Sequence, residues 1–166
     1  MTIVVPPAAA IALVGPAGAG KTTFAAGHFA PTETLSSDYC RRLVADDEND
    51  QSATPQAFAV LYFIAARRLR RGRVTVVDST NVRRADRQQL LWLAERYRRP
   101  AVAVLFNLPL DVCLQRAALR TDRAVDADAV RRQWEAMPHS TAPLLEEGFS
   151  YAYEISAADE PVTVRR

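Results

Sequence analysis

The chain has 166 residues, of which 49% are apolar, and its formal net charge is only +2. This length suits one domain that buries a core without covalent staples, and the apolar fraction argues against disorder. So small a net charge does not by itself predict nucleic-acid binding. The two cysteines, Cys40 and Cys113, match no metal or redox spacing, so we expect reduced thiols and a cytoplasmic protein.

The first eight residues, 1–8, are expected to form an N-terminal arm that leads into a buried strand at Ile11–Val14. The apolar stretch from 3 to 14 is not typical of a signal peptide, because it has no basic leader and two prolines interrupt it. No run reaches the roughly 20 apolar residues that cross a bilayer. A membrane is therefore not expected among the partners.

The predicted strand leads into GPAGAGKT at 15–22, which fits the pattern of a phosphate-binding loop. Its glycines let backbone N–H groups turn toward phosphates, and the helix expected at Thr22–Phe29 adds its positive N-terminal end. We therefore predict a site for ATP or another nucleoside triphosphate. The predicted nucleotide-binding residues of this loop are Gly15, Gly18, Ala19, Gly20, Lys21, Thr22 and Thr23.

The chain has 21 basic residues, of which 20 are arginine and one, Lys21, is lysine. In so arginine-rich a composition, the surviving lysine marks a position that arginine fills poorly. A compact ammonium on a flexible stem fits between the β- and γ-phosphates, whereas the planar guanidinium fork does not. Lys21 is therefore predicted to be catalytic, and the hydroxyl of Thr22 is predicted to bind Mg²⁺.

Short apolar segments alternate with helical patterns along the rest of the chain. Further strands are predicted at Thr34–Ser36, Val74–Val77, Ala101–Phe106 and Tyr151–Ile155. Further helices are predicted at Pro55–Arg71, Arg84–Tyr97, Leu110–Leu119 and Asp128–Met137.

This alternation after a phosphate-binding loop predicts an α/β fold of the P-loop kinase type. We expect a doubly wound, mainly parallel sheet of about five strands flanked by helices. A helical lid is expected at about 108–137. The whole chain, 1–166, is expected to be a single domain that ends in a loose tail or linker at 156–166.

Ligands of such sheets bind beyond the carboxyl ends of the strands, so the polar residues that follow each strand are candidates. Asp38 and Arg41 follow the second predicted strand and share one face if a helix begins at Asp38. Asp38 is interpreted as the base that accepts a proton from an attacking hydroxyl, and Arg41 as the holder of an acceptor phosphate or carboxylate. An N-cap aspartate beside a solvated arginine is the alternative.

Asp78 ends the β-branched third strand and is predicted to hold Mg²⁺, directly or through water, with a loop cap as the alternative. Arg116, Arg120 and Arg123 recur at spacings of four and three, which predicts one stripe on a helix. Such arginines close over a nucleotide and neutralise charge on the transferring phosphoryl group. Arg116 and Arg120 are thus predicted to bind the nucleotide, although a solvated face is the alternative.

The acidic stretch at 46–51 includes Asp46, Asp47, Glu48 and Asp50. Acidic side chains repel phosphate, so the stretch is expected to be a solvated loop that lies away from the γ-phosphate.

Three stretches resemble the kinase domain of bacterial polynucleotide kinase-phosphatase, an RNA-repair enzyme. They are SSDYCRRLVADDENDQSAT at 36–54, VVDSTNV at 76–82 and FNLPLDVCLQR at 106–116, and the resemblance covers about residues 9 to 155. It implies transfer of the γ-phosphate of a nucleoside triphosphate to the 5′-hydroxyl end of single-stranded RNA or DNA, in nucleic-acid end repair.

The resemblance also implies roles for individual residues. Lys21 and Thr22 match the P-loop lysine and the metal-binding hydroxyl, and Asp38 matches the general base. Arg41 matches a clamp on the acceptor phosphate, Arg116 matches the lid arginine, and Gln51 is implied to help order the acceptor site. Phosphatase and ligase-like domains would follow in a longer parent chain, so this chain is expected to be an excised domain or a stand-alone relative.

Two other functions fit the same residues. The first is a P-loop kinase of a small metabolite or antibiotic, which shares the fold, the loop, the base and the arginine lid. The second is a nucleotide-dependent binding module that transfers no phosphate.

Overall fold

A computed structural model of the protein describes residues 1–120, 125–156 and 161–166. The strands in chain order are β1 (Thr2–Val4), β2 (Ala10–Val14), β3 (Thr34–Ser36), β4 (Thr75–Asp78), β5 (Ala101–Phe106), β6 (Tyr151–Ile155) and β7 (Thr163–Arg165). The helices are α1 (Lys21–His28), α2 (Ser37–Ala45), α3 (Thr54–Arg70), α4 (Arg84–Arg96), α5 (Leu110–Ala118), α6 (Ala127–Ala136) and α7 (Ala142–Glu147). A short 3₁₀ helix, Gln51–Ala53, precedes α3.

Five strands form a parallel sheet in the order β3-β4-β2-β5-β6. Its central strands β2 and β5 are buried along their whole length, as expected where helices cover both faces. The predicted α/β fold with a five-stranded parallel sheet is confirmed. All five predicted strands of this sheet are present, whereas α7 is a helix that the sequence patterns did not predict.

Alternate residues of β2 divide the core into two layers. Ile11 and Leu13 face one layer, which α1, α5 and α6 cover, and Ala10, Ala12 and Val14 face the other, which α3, α4 and α7 cover. The fold is therefore doubly wound. None of the helices in the described residues is long and apolar enough to span a membrane.

The segments predicted as an N-terminal arm at 1–8 and a loose tail or linker at 156–166 each contain one strand. The end strand β7 pairs in parallel with β1, so that Ile3 lies opposite Val164. The side chain of Ile3, in β1, is fully buried in the core. Arg166 donates hydrogen bonds to both carboxylate oxygens of Glu33, at 2.7 and 2.5 Å. Residues 161–166 thus pack as part of the domain, because pairing satisfies the backbone of two segments too short to be stable alone.

A buried ion pair joins α4 to α7 and also fixes the loop after β4. Arg87 is 2% exposed and donates to both carboxylate oxygens of Glu147, at 2.8 and 2.5 Å. Its third hydrogen bond, of 2.5 Å, goes to the backbone oxygen of Asn81. The side-chain amide of Asn81 donates in turn to the backbone oxygen of Leu13 at 2.8 Å. The network therefore ties the loop after β4 to the strand that leads into the phosphate-binding loop.

Replacement of the buried arginine tests this network. Arg87→Ala leaves the Glu147 carboxylate buried without its partner, so we expect the free energy of unfolding to fall by about 3–5 kcal/mol. Urea unfolding followed by circular dichroism measures the loss. Arg84→Ala removes an exposed arginine from the same helix and should change stability by less than about 0.5 kcal/mol. Equal, small losses in the two variants would contradict a structural role for the pair.

Candidate active site

Glycines shape the loop between β2 and α1. Gly20 is the N-cap of α1 with a φ of 93°, and Gly18 has a φ of 81°, both in the left-handed region that favours glycine. A Cβ on Gly18 would lie 2.2 Å from the backbone oxygen of Cys113 in α5. Gly18 therefore provides both the turn and the close packing of the loop against α5.

The side chain of Lys21 folds back into the phosphate-binding loop that precedes it in sequence. Its Nζ donates hydrogen bonds to the backbone oxygens of Gly15 and Pro16, both at 2.8 Å, and the residue is 8% exposed. Burial lowers the pKa of Lys21 to about 8, and the nearby carboxylates of Asp78 and Asp38 act in the opposite direction. Because opposite charges favour the charged form, phosphate groups at this place would favour the ammonium further.

Thr22, which follows Lys21 in α1, contacts Asp78, the last residue of β4. Thr22 donates a hydrogen bond of 2.8 Å from Oγ1 to Oδ2 of Asp78, which is buried. Burial raises the pKa of Asp78, while Lys21 and the hydrogen bond from Thr22 oppose that rise. Mg²⁺ is commonly bound by one or two protein oxygens together with substrate phosphates and water. A hydroxyl and a carboxylate in contact beside the loop fit this donor set.

Asp38 does not occupy the N-cap position that one interpretation gives it. The N-cap of α2 is Ser36, whose Oγ accepts a hydrogen bond from the backbone N–H of Tyr39 at 3.2 Å. Asp38 lies in the first turn, and its Oδ1 is 2.8 Å from Nη1 of Arg41, one turn later. Arg41 is 5% exposed, so the alternative of a capping aspartate beside a solvated arginine is wrong.

The guanidinium of Arg41 joins three parts of the chain. Besides Asp38, Nη1 contacts the backbone oxygen of Glu48 at 2.8 Å, and Nε donates to Oγ1 of Thr54 at 3.3 Å. These bonds hold the acidic loop and the start of α3 against α2. They orient the Asp38 carboxylate, whose side chain remains 33% exposed. Arg41 is thus placed to position Asp38, and its predicted contact with an acceptor phosphate stays a prediction.

One cleft at the carboxyl ends of β2, β3 and β4 brings most of the predicted residues together. Its volume is about 1250 Å³. Gly15, which was predicted to bind the nucleotide, is not among the residues that line the cleft, and its N–H donates to the backbone oxygen of Thr80 at 2.9 Å. The predicted residues that line the cleft are Gly18, Ala19, Gly20, Lys21, Thr22, Thr23, Asp38, Arg41, Gln51, Asp78, Arg116 and Arg120.

The acidic loop reaches the cleft through its uncharged residues. Asn49 and Gln51 line the cleft. Asp47 accepts a hydrogen bond of 2.8 Å from the backbone N–H of Asn49, and Asp50 accepts one of 2.9 Å from that of Ser52. The loop therefore borders the cleft with amide side chains, while these two carboxylates shape its backbone. This arrangement explains how an acidic stretch can lie beside a phosphate site.

Two arginines of the predicted stripe line the cleft, and the third, Arg123, lies outside the described residues. Nη1 of Arg116 lies 3.7 Å from the place that a Cβ on Gly20 would take, so its guanidinium is next to the phosphate-binding loop. The two helices in the region predicted as a lid also contribute to the core, α5 through Cys113 and α6 through Val130. Movement of a lid at 108–137 stays a prediction.

Several residues of the cleft were missed because no local motif marks them. Oε1 of Gln133 in α6 accepts a hydrogen bond from the backbone N–H of Ala17 at 2.9 Å, which ties α6 to the loop. Ser79 presents a buried hydroxyl with no hydrogen-bond partner in the described structure. Ile155 and Val162 line the cleft with apolar side chains. Only the folded chain brings these distant positions together.

The sheet and the phosphate-binding loop, with Asp78 contacting Thr22, define a P-loop domain of the kinase type. The chain belongs to the AAA domain family AAA_33, whose model matches residues 11–144. No curated protein matches the chain in sequence.

Solved structures agree on the fold. A candidate kinase from Chloroflexus aurantiacus is 20% identical with a TM-score of 0.66, over 90% of this chain and 85% of that one. Kti12 from Chaetomium thermophilum, in complex with ADP-AlF3, is 21% identical with a TM-score of 0.63, over 90% of each chain. The APS kinase CysC from Mycobacterium tuberculosis, in complex with AMPPNP and APS, is 15% identical with a TM-score of 0.56, over 94% of this chain and 92% of that one. The kinase-type fold is confirmed, whereas the polynucleotide kinase resemblance is not.

Substitution of Gly18 tests the geometry of the loop. The Cβ of Gly18→Ala would collide with the backbone of Cys113 and would strain a left-handed φ, so we expect ATP affinity to fall at least tenfold. Calorimetric titration with ATP measures the change. Gly27→Ala is the matched control, because nothing lies within 4 Å of its added Cβ in helix α1. Wild-type affinity in Gly18→Ala would show that the loop does not need this close approach.

Proposed function

We propose that this domain transfers the γ-phosphate of ATP to a hydroxyl group of an acceptor that lies beside Asp38. The observation that carries the proposal is that Lys21, the Thr22–Asp78 pair and Asp38 line one cleft. The loop and its lysine suit the phosphates of a donor, and a partly exposed carboxylate opens into the same space. Donor and acceptor would therefore meet in the geometry that phosphoryl transfer needs.

Each group has a defined task in this proposal. The loop N–H groups and Lys21 bind the donor phosphates, and Arg116 and Arg120 neutralise charge on the transferring group. Thr22 and Asp78 would hold Mg²⁺, which supplies charge neutralisation at the phosphate oxygens when it is bound. Asp38 accepts the proton of the acceptor hydroxyl as the hydroxyl oxygen bonds to the γ-phosphorus and ADP leaves.

The proposed acceptor is a small hydroxyl-bearing metabolite. The acceptor side of the cleft, between α2 and the start of α3, is lined by Asp38, Asn49, Gln51, Thr54 and Phe58. Arg41 also lines this side, so the set offers one cation, which suits hydroxyl groups better than a run of backbone phosphates. The nearby cation, Arg41, already donates to Asp38, Glu48 and Thr54. The similarity in fold to an APS kinase supports a small acceptor.

A 5′-hydroxyl end of RNA or DNA is the second candidate. The stretch that resembles polynucleotide kinase-phosphatase, 36–54, includes α2 and the acidic loop, and it ends at Thr54, so it builds most of the acceptor wall. A role in end repair, further phosphatase and ligase-like domains, and the cytoplasmic location stay predictions.

One labelling competition separates the candidates. The protein is given γ-labelled ATP with equimolar sugar acids, aminoglycosides, nucleosides and 5′-hydroxyl RNA and DNA oligonucleotides. We expect label on a small metabolite. Label on the oligonucleotides alone would replace the first candidate by the second, and label on no acceptor would favour a nucleotide-binding module without transfer.

Substitution of Asp38 in the same assay tests its role as the base. Asp38→Asn keeps the shape of the side chain but cannot take the proton, so turnover should fall about 10²–10⁴-fold while ATP still binds. Asp128→Asn neutralises an exposed carboxylate on α6 and should turn over like the wild type. Wild-type turnover in Asp38→Asn would show that Asp38 is not the base.

A further inference from the structure

A second concave surface lies at the far end of α3. We name it the arginine groove; it has a volume of about 440 Å³. Helix α3 runs from Thr54 at the active-site cleft to Arg67 in this groove, a distance of roughly 20 Å at 1.5 Å per residue. The groove is therefore a separate surface. Its defining side chains are Glu33, Phe63, Arg67, Arg68, Arg71 and Arg73.

The groove is strongly positive. Four of its defining side chains are arginines and one, Glu33, is acidic. Both carboxylate oxygens of Glu33 already accept hydrogen bonds from Arg166, which brings another positive charge close by. The negative end of a helix dipole favours basic residues in the last turn. That effect does not explain Arg73, which lies beyond the end of α3.

An exposed aromatic ring lies beside these charges. Phe63 is 60% exposed, and Phe63, Arg67 and Arg71 follow one another at intervals of four, which forms one stripe that runs along α3 to its C-cap residue, Arg71. The guanidinium of Arg67 lies 4.7 Å from the centre of the Phe63 ring. The two planar groups together offer a stacking surface of the kind on which nucleobases lie.

The floor of the groove contains a cation whose hydrogen bonding is incomplete. Arg68 donates from Nη2 to the backbone oxygen of Val74 at 2.9 Å, but its buried Nε has no acceptor in the described structure. Glu33 acts on Arg68 as a nearby anion, but its carboxylate also accepts two hydrogen bonds from Arg166, so its negative charge is shared between two arginines. The groove therefore favours a negatively charged ligand over a neutral one.

We propose that the arginine groove binds single-stranded nucleic acid. Arg67, Arg71 and Arg73 contact its phosphates, and one base stacks on Phe63. An acidic polypeptide would match the charge of the groove but has no base to stack on the exposed ring. This site lies outside the active-site cleft, so the proposal holds whichever acceptor is phosphorylated.

Fluorescence anisotropy with labelled ten-nucleotide DNA and RNA strands, without ATP, tests the phosphate contacts. Arg67→Ala with Arg71→Ala should weaken binding at least tenfold and reduce the slope of log affinity against log salt by about 1.4, or about 0.7 per phosphate contact. The control, Arg84→Ala with Arg96→Ala, removes the same charge from α4 and should change affinity and slope much less. Equal effects of the two double variants, or no binding by the wild type, would overturn the proposal.

Phe63→Leu tests the stacking contact and the class of ligand. It keeps an apolar side chain but loses the aromatic face, so affinity should fall roughly tenfold with an unchanged salt slope. Circular dichroism checks that every variant is folded. Polyglutamate should bind more weakly than the oligonucleotides and should not respond to Phe63→Leu. Polyglutamate binding of equal strength, lost in the Arg67 and Arg71 double variant, would assign the groove to an acidic polypeptide and refute the proposal.

Discussion

The hydrogen bond between the Thr22 hydroxyl and the Asp78 carboxylate, 2.8 Å long, is the contact on which the site depends. It requires that β4 lie beside β2 in a register that sets Leu13 opposite Asp78. The Asn81 amide, bonded to the backbone oxygen of Leu13, and the buried Arg87 network hold that geometry from outside the cleft. A local contact between two polar groups thus depends on strand order and on a buried ion pair.

The next strand positions the residues on the proposed acceptor side of the site. β3 lies beyond β4, with Ser36 opposite Asp78, and α2 starts directly afterwards with Ser36 as its cap. Asp38 therefore lies at the cleft in the first turn of α2, and Arg41, one turn later, donates a hydrogen bond to its carboxylate. Because a rigid helix carries the carboxylate and a buried guanidinium orients it, the proposed base is positioned before an acceptor binds. The sheet order thereby places the proposed donor-side and acceptor-side groups at one edge of the sheet.

Local patterns predicted much of this architecture. The loop at 15–22 and the apolar segments that form the strands are predicted from neighbouring residues, and a spacing of three predicted that Asp38 and Arg41 share one helix face. The pairing of β1 with β7, the bond from Ala17 to Gln133 and the pair of Arg87 with Glu147 join residues far apart in sequence. Such partners are chosen by packing in the folded chain. Arg41 is buried partly because the acidic loop at 46–51 packs against it through the backbone oxygen of Glu48, and no local pattern predicts the path of that loop.

The proposed function requires that Lys21, the single lysine, bind the donor phosphates in a place where arginine does not fit. Calorimetric titration of ATP and adenosine into the wild type and Lys21→Arg tests this requirement. We expect Lys21→Arg to keep the charge but to lose ATP affinity about 10- to 100-fold, as for the loss of hydrogen bonds to a charged group, with unchanged adenosine binding. Wild-type affinity of Lys21→Arg for ATP would contradict it.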